Sequence, residues 1–384
     1  MYKNLLLCAV IVTALLSFSL PNASAQTAFK LKFKRSAVYA GIEVGSKGVK
    51  LSLLEIGKNA QNTGTFNVLK DSSVNTDFIT FSPASFSATL RAITGLYHVA
   101  NAQYKIAPEN IYTVLSSGVK VQAEKEHKMA IVKSLSDSFR MMINEPQRKV
   151  DLVDVVDEAR LSHLGIVPEA KRYSTFLIDI GSGNTKGGYF PNGNTQELKL
   201  FQLTWGTKSI ANGTEKRLDE DKSLNNFQKQ LYRVLEGPAN QEITYAVNVS
   251  GAYNMSDNIA FSGGIAWAVG TLLFPELNEN AVVPVTYDEV LKFSQQLYNN
   301  YNRYTPAVLV NKITDKAVDR VPVAEEIKTI HKVFDQRALM AGTGLLLKIM
   351  RQFEGLYERK QFYLVKNGQV GWISAYVDLH SLKQ

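Results

Sequence analysis

Two acidic residues 136 positions apart, Glu43 and Asp179, each stand near the end of a short apolar run, one residue ahead of a turn of small residues. The first segment reads SAVYAGIEVGSKGVKLSLLEI, Ser36 to Ile56, and the second YSTFLIDIGSGNTKGGYF, Tyr173 to Phe190. Strand-like runs on either side of a glycine turn predict a β-hairpin in each. The turns begin at Gly45-Ser46-Lys47 and at Gly181-Ser182-Gly183-Asn184, where little side-chain bulk covers the backbone N–H groups. Such a turn can cradle a phosphate. Either hairpin alone reads as well as an ordinary turn in which Asp and Gly serve only as turn formers. The duplication is what points to a polyanion gripped between two copies across a cleft.

Those turns need sheets to hold them. Thr65 to Leu69 and Phe78 to Phe81 read as short strands, and Ser85 to Tyr104 places Phe86, Leu90, Ile93, Leu96 and Ala100 at helical spacing. Asn110 to Ser117 is predicted as a buried strand ending in small hydroxyls, and Glu124 to Asn144 as an amphipathic helix. After the second hairpin come a strand at Thr195 to Leu203, helices at Ser223 to Glu236 and Tyr287 to Tyr301, a strand near Glu242 to Val249, and a strand at Asn258 to Phe261 that runs into Ser262-Gly263-Gly264. A long helix, Phe334 to Leu356, a strand at Gln361 to Lys366, and a strand or helix over Trp372 to Leu382 complete the pattern. Alternating strands and helices are the grammar of an α/β domain, and the length calls for two such domains. The chain divides into a leader, 1–25, and two lobes, 36–170 and 171–384, with the last segment free to pack back on the first lobe.

Between the lobes lies Val155-Val156-Asp157-Glu158-Ala159-Arg160-Leu161, shortly before Asp179. This run, followed by FLIDIGSGNTK, resembles a pairing found in the Ppx/GppA family of exopolyphosphatases and guanosine pentaphosphate phosphohydrolases, within the actin, sugar kinase and Hsp70 superfamily. There, an EEARL helix start precedes a DIGGGSTE loop at this distance. NIYTVLSSGVK, Trp205-Gly206-Thr207, FSGGIAWAVGTL and RALMAGTGLLLKIM then follow in the family's order, so the resemblance covers nearly all of residues 37 to 380.

The resemblance implies an α/β fold of two ribonuclease H-like lobes, as in actin-like ATPases, with a cleft between them. It implies hydrolysis of phosphoanhydride bonds by metal-assisted water attack, chemistry that needs charge neutralisation and an aligned water more than covalent work by the protein. By the same match Glu158 orients or deprotonates the attacking water, and Asp179 and Glu43 bind Mg2+ or Mn2+. Gly45, Ser46, Lys47, Gly181, Ser182, Gly183, Asn184, Lys186, Ser262, Gly263 and Gly264 are the implied phosphate-binding residues. Polyphosphate or another phosphoanhydride is the implied ligand, and a homodimer stays open as the assembly.

The motifs depart from the family at charged positions. Glu43 is one methylene longer than the usual Asp, Lys47-Gly48 replaces Asn-Ser, Asn184 replaces a hydroxyl residue, and Lys186 stands where a second metal-associated Glu is expected. An ammonium there either weakens a metal site by repulsion or serves as a substitute cation for phosphate. Three readings follow: a phosphatase, a binding or sensing module that keeps the cleft without turnover, and a kinase of the same superfamily, which export disfavours. Taken without the match, Glu158 is an acid favoured by a helix N-terminus, Arg160 a partner for an acid at the lobe junction, and His163 a packed histidine. The five histidines show no close metal-ligand spacing.

The first residues, MYKNLLLCAVIVTALLSFSLPNASAQ, combine one lysine, an apolar stretch from Leu5 to Leu20, and Ala23-Ser24-Ala25 as a small-residue cleavage site. That is the pattern of a secretory signal peptide, and the apolar run, stopped by Pro21, is shorter than a membrane span needs. A secreted or periplasmic protein with no membrane attachment after cleavage is the expectation. Cys8, the single cysteine, leaves with the leader, which excludes a disulfide, a thiolate nucleophile or a Cys-ligated metal in the mature chain. Cleavage lowers the net charge from +8 to +7, a mild excess that suits a polyanionic ligand. The densest basic run, Lys30 to Arg35, reads as a solvated arm, so no nucleic-acid partner is expected. Mass spectrometry of the exported protein is expected to find Gln26 as its first residue; an intact Met1 on that protein would overturn the leader.

Overall fold

The first hairpin becomes β1 (Ser36–Val44) and β2 (Gly48–Gly57), antiparallel, with Glu43 opposite Lys50. β3 (Phe66–Asn75), β4 (Ile111–Leu115) and β5 (Val150–Leu152) complete a sheet of order β3-β2-β1-β4-β5, in which β4 runs parallel to both β1 and β5. The second hairpin becomes β6 (Thr175–Ile180) and β7 (Thr185–Tyr189), with Asp179 opposite Lys186. It is joined by β8 (Lys199–Leu203), β9 (Asn258–Ser262), β10 (Val282–Val285) and β11 (Gln361–Val365) in the order β10-β11-β9-β6-β7-β8. Without the added edge strand β10, the second sheet repeats the first strand for strand and direction for direction. The fold is two-lobed and ribonuclease H-like, as in actin-like ATPases, and it places both turns at the carboxyl ends of their parallel strands, where open α/β sheets bind ligands. The structure, a computed structural model, describes residues 29–46, 48–251, 256–354, 360–366, 368 and 371–382, so the leader and Lys47 lie outside the described residues.

Each sheet has its own core. In the first, Ile42 and Leu51 pack with Ile93 and Leu96 of the Pro83–His98 helix and with Leu135 and Phe139 of the Met129–Met142 helix. In the second, Phe176, Ile178 and Phe261 pack with Leu339 and Leu346 of the Gln336–Phe353 helix. A third cluster joins the chain's two ends of logic: the Gly371–Ser381 helix lies on the first sheet beside the Val155–Ile166 helix, through Leu54, Val114, Leu161, Trp372, Ile373 and Tyr376. These two helices approach as closely as glycine allows, since a Cβ on Gly165 would stand 1.9 Å from the Gly371 carbonyl oxygen. Tyr376 adds a hydrogen bond from its hydroxyl to Asp151 at 2.6 Å.

Several elements differ from the sequence expectation. Glu242 to Val249 is not a strand but part of the Asn240–Ser250 helix, whose buried residues Ile243, Ala246, Val247 and Ser250 follow helical spacing despite their β-branched neighbours. Phe78 to Phe81 is not a strand either: it is a 3-10 turn bounded by Asp77 and Phe81 with φ of 51° and 49°. The helix expected over Glu124 to Asn144 is two, Ser117–Lys125 and Met129–Met142, broken at His127 with φ of 57°. The last segment is a helix. Among the described residues no helix is long and apolar enough to cross a membrane.

His163, on the Val155–Ile166 helix, is fully buried at the junction of the lobes. Its Nε2 donates to the Thr175 carbonyl at 3.0 Å, its ring meets Phe190 edge-on, and Nδ1 has no partner among the described residues. Burial pushes the imidazole down from 6.5 to about 4, against the pull of the Thr175 carbonyl and with help from Arg172. The unfolded chain therefore binds a proton here that the folded one refuses, so this residue's contribution is complete above about pH 6.5 and is lost as the pH falls towards 4. Glu43, pushed up to about 7, works in the opposite sense over part of that range, which a comparison with His163→Gln cancels. The difference in unfolding free energy between wild type and His163→Gln is expected to shift by about 3 kcal/mol between pH 7 and pH 4; denaturant melts showing a constant difference would refute it.

Candidate active site

The two turns are built alike. The Gly45 N–H donates to the Gly48 carbonyl at 2.8 Å, and the Gly181 N–H to the Asn184 carbonyl at 3.0 Å. The strand that follows each hairpin in the sheet, β4 or β9, ends beside it in a small-residue segment, Ser116-Ser117-Gly118 or Ser262-Gly263-Gly264. The second-lobe turn is braced from below by the Thr207–Glu215 helix, whose Thr207 and Lys208 N–H groups donate to the Gly181 and Ser182 carbonyls at 3.0 and 2.8 Å. Gly206 makes that seat possible, because a Cβ there would stand 2.5 Å from the Gly181 oxygen. The N–H groups of Ser182, Gly183 and Asn184 have no acceptor among the described residues, and all three residues line the cleft between the lobes.

That cleft has a volume of about 1210 Å³. Gly45, Ser46 and Gly118 line it from the first lobe, and Glu43, Glu158 and Lys186 lie at its floor. Glu158 is held there by the Val155–Ile166 helix, which Asp154 caps by accepting the Asp157 N–H at 2.8 Å. The residue is 3% exposed; one carboxylate oxygen accepts the Ser117 N–H at 2.7 Å and the other lies 2.9 Å from the Lys186 ammonium. Asp179 lies 3.6 Å from the same ammonium and accepts from the Ser262 hydroxyl at 2.9 Å. Residues from the interlobe helix and the second hairpin thus converge on one cation.

Their ionisation follows from that geometry. Burial works against the charged form of Glu158, yet Lys186 and the Ser117 N–H outweigh it and hold the carboxyl below its ordinary range. Burial prevails at Asp179, which is raised despite Lys186 and Ser262. Glu43, partly accessible at the cleft floor but enclosed by protein, is pushed up to about 7 by burial and by the Glu158 charge, with Lys50 and Lys186 opposing. Lys186 is raised: the Glu158 and Asp179 charges overcome the burial that would otherwise lower it.

Of the residues singled out in the sequence, Glu43, Gly45, Ser46, Glu158, Gly181 to Asn184 and Lys186 all line one cleft. Asp179, Ser262, Gly263 and Gly264 are not among its lining residues. Ser262 is fully buried with its hydroxyl on Asp179, and Gly263, at φ of 93°, carries the backbone over the Ile180 carbonyl, where a Cβ would stand at 2.3 Å. Sequence reasoning missed the Ser117 N–H, the cleft-lining lysines Lys125 and Lys208, and Lys50. Only Lys50 left a signal: Glu43 to Lys50 and Asp179 to Lys186 are both spaced by seven.

The expected divalent cation does not fit this floor. Lys186 occupies the space between the carboxylates, and among the described residues no group of three or more His, Cys, Asp or Glu side chains is arranged to hold a metal ion.

No family model matches the sequence, and no curated protein is significantly similar to it. Solved structures are. The Ppx/GppA family member of Aquifex aeolicus is similar over 91% of this chain and 98% of its own, at 16% identity and a TM-score of 0.58. The type II variant of the Aquifex aeolicus Ppx/GppA phosphatase is similar over 90% of this chain and 98% of its own, at 15% identity and a TM-score of 0.56. An exopolyphosphatase from Cytophaga hutchinsonii is similar over 89% and 98%, at 12% identity and a TM-score of 0.55. The fold of this chain is that of the Ppx/GppA structures over nine-tenths of its length, the family that its sequence motifs resemble.

Proposed function

We propose that this protein is an exported phosphatase that hydrolyses phosphoanhydride bonds, with the terminal phosphates of linear polyphosphate as its substrate. The observation that carries this reading is the pairing of Glu158 with Lys186 at the floor of a cleft walled by two glycine turns, with Asp179 3.6 Å from the same ammonium, in a fold shared with exopolyphosphatases. The leader favours polyphosphate over guanosine nucleotides, which belong to the cytosol.

The reaction asks for three things, and this chain's residues supply each. The unpartnered N–H groups of the Gly181 to Asn184 turn bind the terminal phosphate as donors. The Lys186 ammonium, which lines the same cleft, neutralises the charge that gathers on the transferred phosphoryl oxygens in this reading. Glu158, ionised and fixed by Ser117 and Lys186, accepts a hydrogen bond from the attacking water. The water oxygen attacks the terminal phosphorus, the bridging P–O bond breaks with its electron pair on the departing chain, and the water's proton passes through Glu158 to the released orthophosphate. A carboxylate with a lowered pKa is a weak base, but a loose phosphoryl transition state asks mainly for a well-placed water.

Glu158→Gln keeps the acceptor for the Ser117 N–H and removes the charge. Purified residues 26–384 incubated with polyphosphate are expected to release orthophosphate, and Glu158→Gln to lower kcat by about 10²–10⁴-fold with polyphosphate affinity retained. Equal rates in wild type and variant would refute the role of Glu158. Salt-sensitive binding without any orthophosphate release would replace the phosphatase with a binding protein.

A further inference from the structure

Lys186 contradicts the metal-dependent scheme that the sequence resemblance implies, and its surroundings say what stands in for the metal. Its side chain is 10% exposed and lines the cleft. It reaches there from β7, directly opposite Asp179 in the hairpin register, so backbone pairing fixes the approach. Glu158 receives the ammonium at hydrogen-bonding distance, 2.9 Å, whereas Asp179 at 3.6 Å holds it by charge alone. An ammonium carries three N–H donors. One is spent on Glu158, which leaves donors for an oxygen of a bound phosphate beside the free N–H groups of the adjoining turn. A second cation in the same low-dielectric space would meet a fixed positive charge a few ångströms away.

We propose that the Lys186 ammonium takes the place of a divalent cation at the floor of the cleft, so that the terminal phosphate of a polyphosphate chain is bound there with no metal ion. This rests on the phosphoanhydride reading above. It assigns to Lys186 the electrostatic work of a metal and assigns it no bond-making step.

The test is calorimetric titration of the mature protein with short-chain polyphosphate, in excess EDTA and in Mg2+, alongside titration with MgCl2 alone. Binding is expected to be the same in EDTA as in Mg2+, and MgCl2 alone to give no stoichiometric binding. Lys186→Gln is expected to weaken polyphosphate binding by about 10–100-fold, as the loss of a charge-assisted donor does, while Lys186→Arg retains most of it. Binding lost in EDTA and restored by Mg2+, a stoichiometric Mg2+ site in the wild type, or full-strength binding by folded Lys186→Gln would each overturn the proposal. If circular dichroism shows Lys186→Gln unfolded, the EDTA comparison on wild type and on Lys186→Arg decides. The two readings fail separately. Metal-free binding without orthophosphate release removes the phosphatase and leaves Lys186 as the site's cation, whereas release that needs Mg2+ does the reverse. No binding in either condition overturns both.

Discussion

The pair formed by Lys186 and Glu158, 2.9 Å apart and almost wholly buried, is the contact on which the cleft depends. Its partners come from different layers, a hairpin strand of the second sheet and the helix that runs between the lobes. Attraction across a buried pair is largely offset by the loss of hydration, so the pair is a poor source of net stability; removing one partner leaves a bare charge and costs on the order of 3–5 kcal/mol. Its consequence is therefore positional. Glu158 can lie in only one place while the Ser117 N–H and the ammonium hold its two oxygens, and Asp179 is held to the same point by Ser262 and Lys186.

That constraint explains the apportioning of charge. Three carboxylates, Glu158, Asp179 and Glu43, act on Lys186, and a single ammonium cannot satisfy them all. Glu158, nearest the ammonium and bonded to an N–H, keeps its charge. Asp179 and Glu43, farther from compensation, are pushed towards the neutral form. A floor arranged in this way repels an incoming polyanion far less than three ionised carboxylates would, and the lysines Lys125 and Lys208 on the cleft walls add attraction from above.

The hairpins were legible in the sequence because strand alternation and turn chemistry are local, and the repeated acid before a glycine turn marked both copies. The Glu158 helix was legible from its motif. What was not legible depends on tertiary partners. The segment Glu242 to Val249 is rich in β-branched residues and becomes a helix because its apolar side chains at helical spacing have a core to fill. Ser262-Gly263-Gly264 looks like a phosphate loop by composition, but β9 lies beside β6, and that neighbour turns the serine onto Asp179. The Ser117 N–H carries no sequence signal at all, since any residue supplies a backbone donor. Lys186 was visible as a departure from the family pattern, but nothing in the sequence said that it would face the two carboxylates together.

The duplication also shows why only one of two equivalent lysines reaches the cleft floor. Lys50 and Lys186 occupy the same place in their hairpins, each opposite the acid that ends the preceding strand. In the first lobe the next strand, β3, is ten residues long and carries Asp71, whose carboxylate lies 3.7 Å from Lys50. In the second lobe the next strand, β8, has five residues and sets the uncharged Gln202 opposite Lys186. Lys186 has Asp179 opposite it on β6 and finds its nearer counter-charge in Glu158 across the lobe junction. The residues opposite the two lysines, Ser73 and Gln202, are both uncharged; two residues along, β3 carries Asp71 where β8 carries Leu200, and that aspartate is the counter-charge which Lys186 lacks on its outer neighbour.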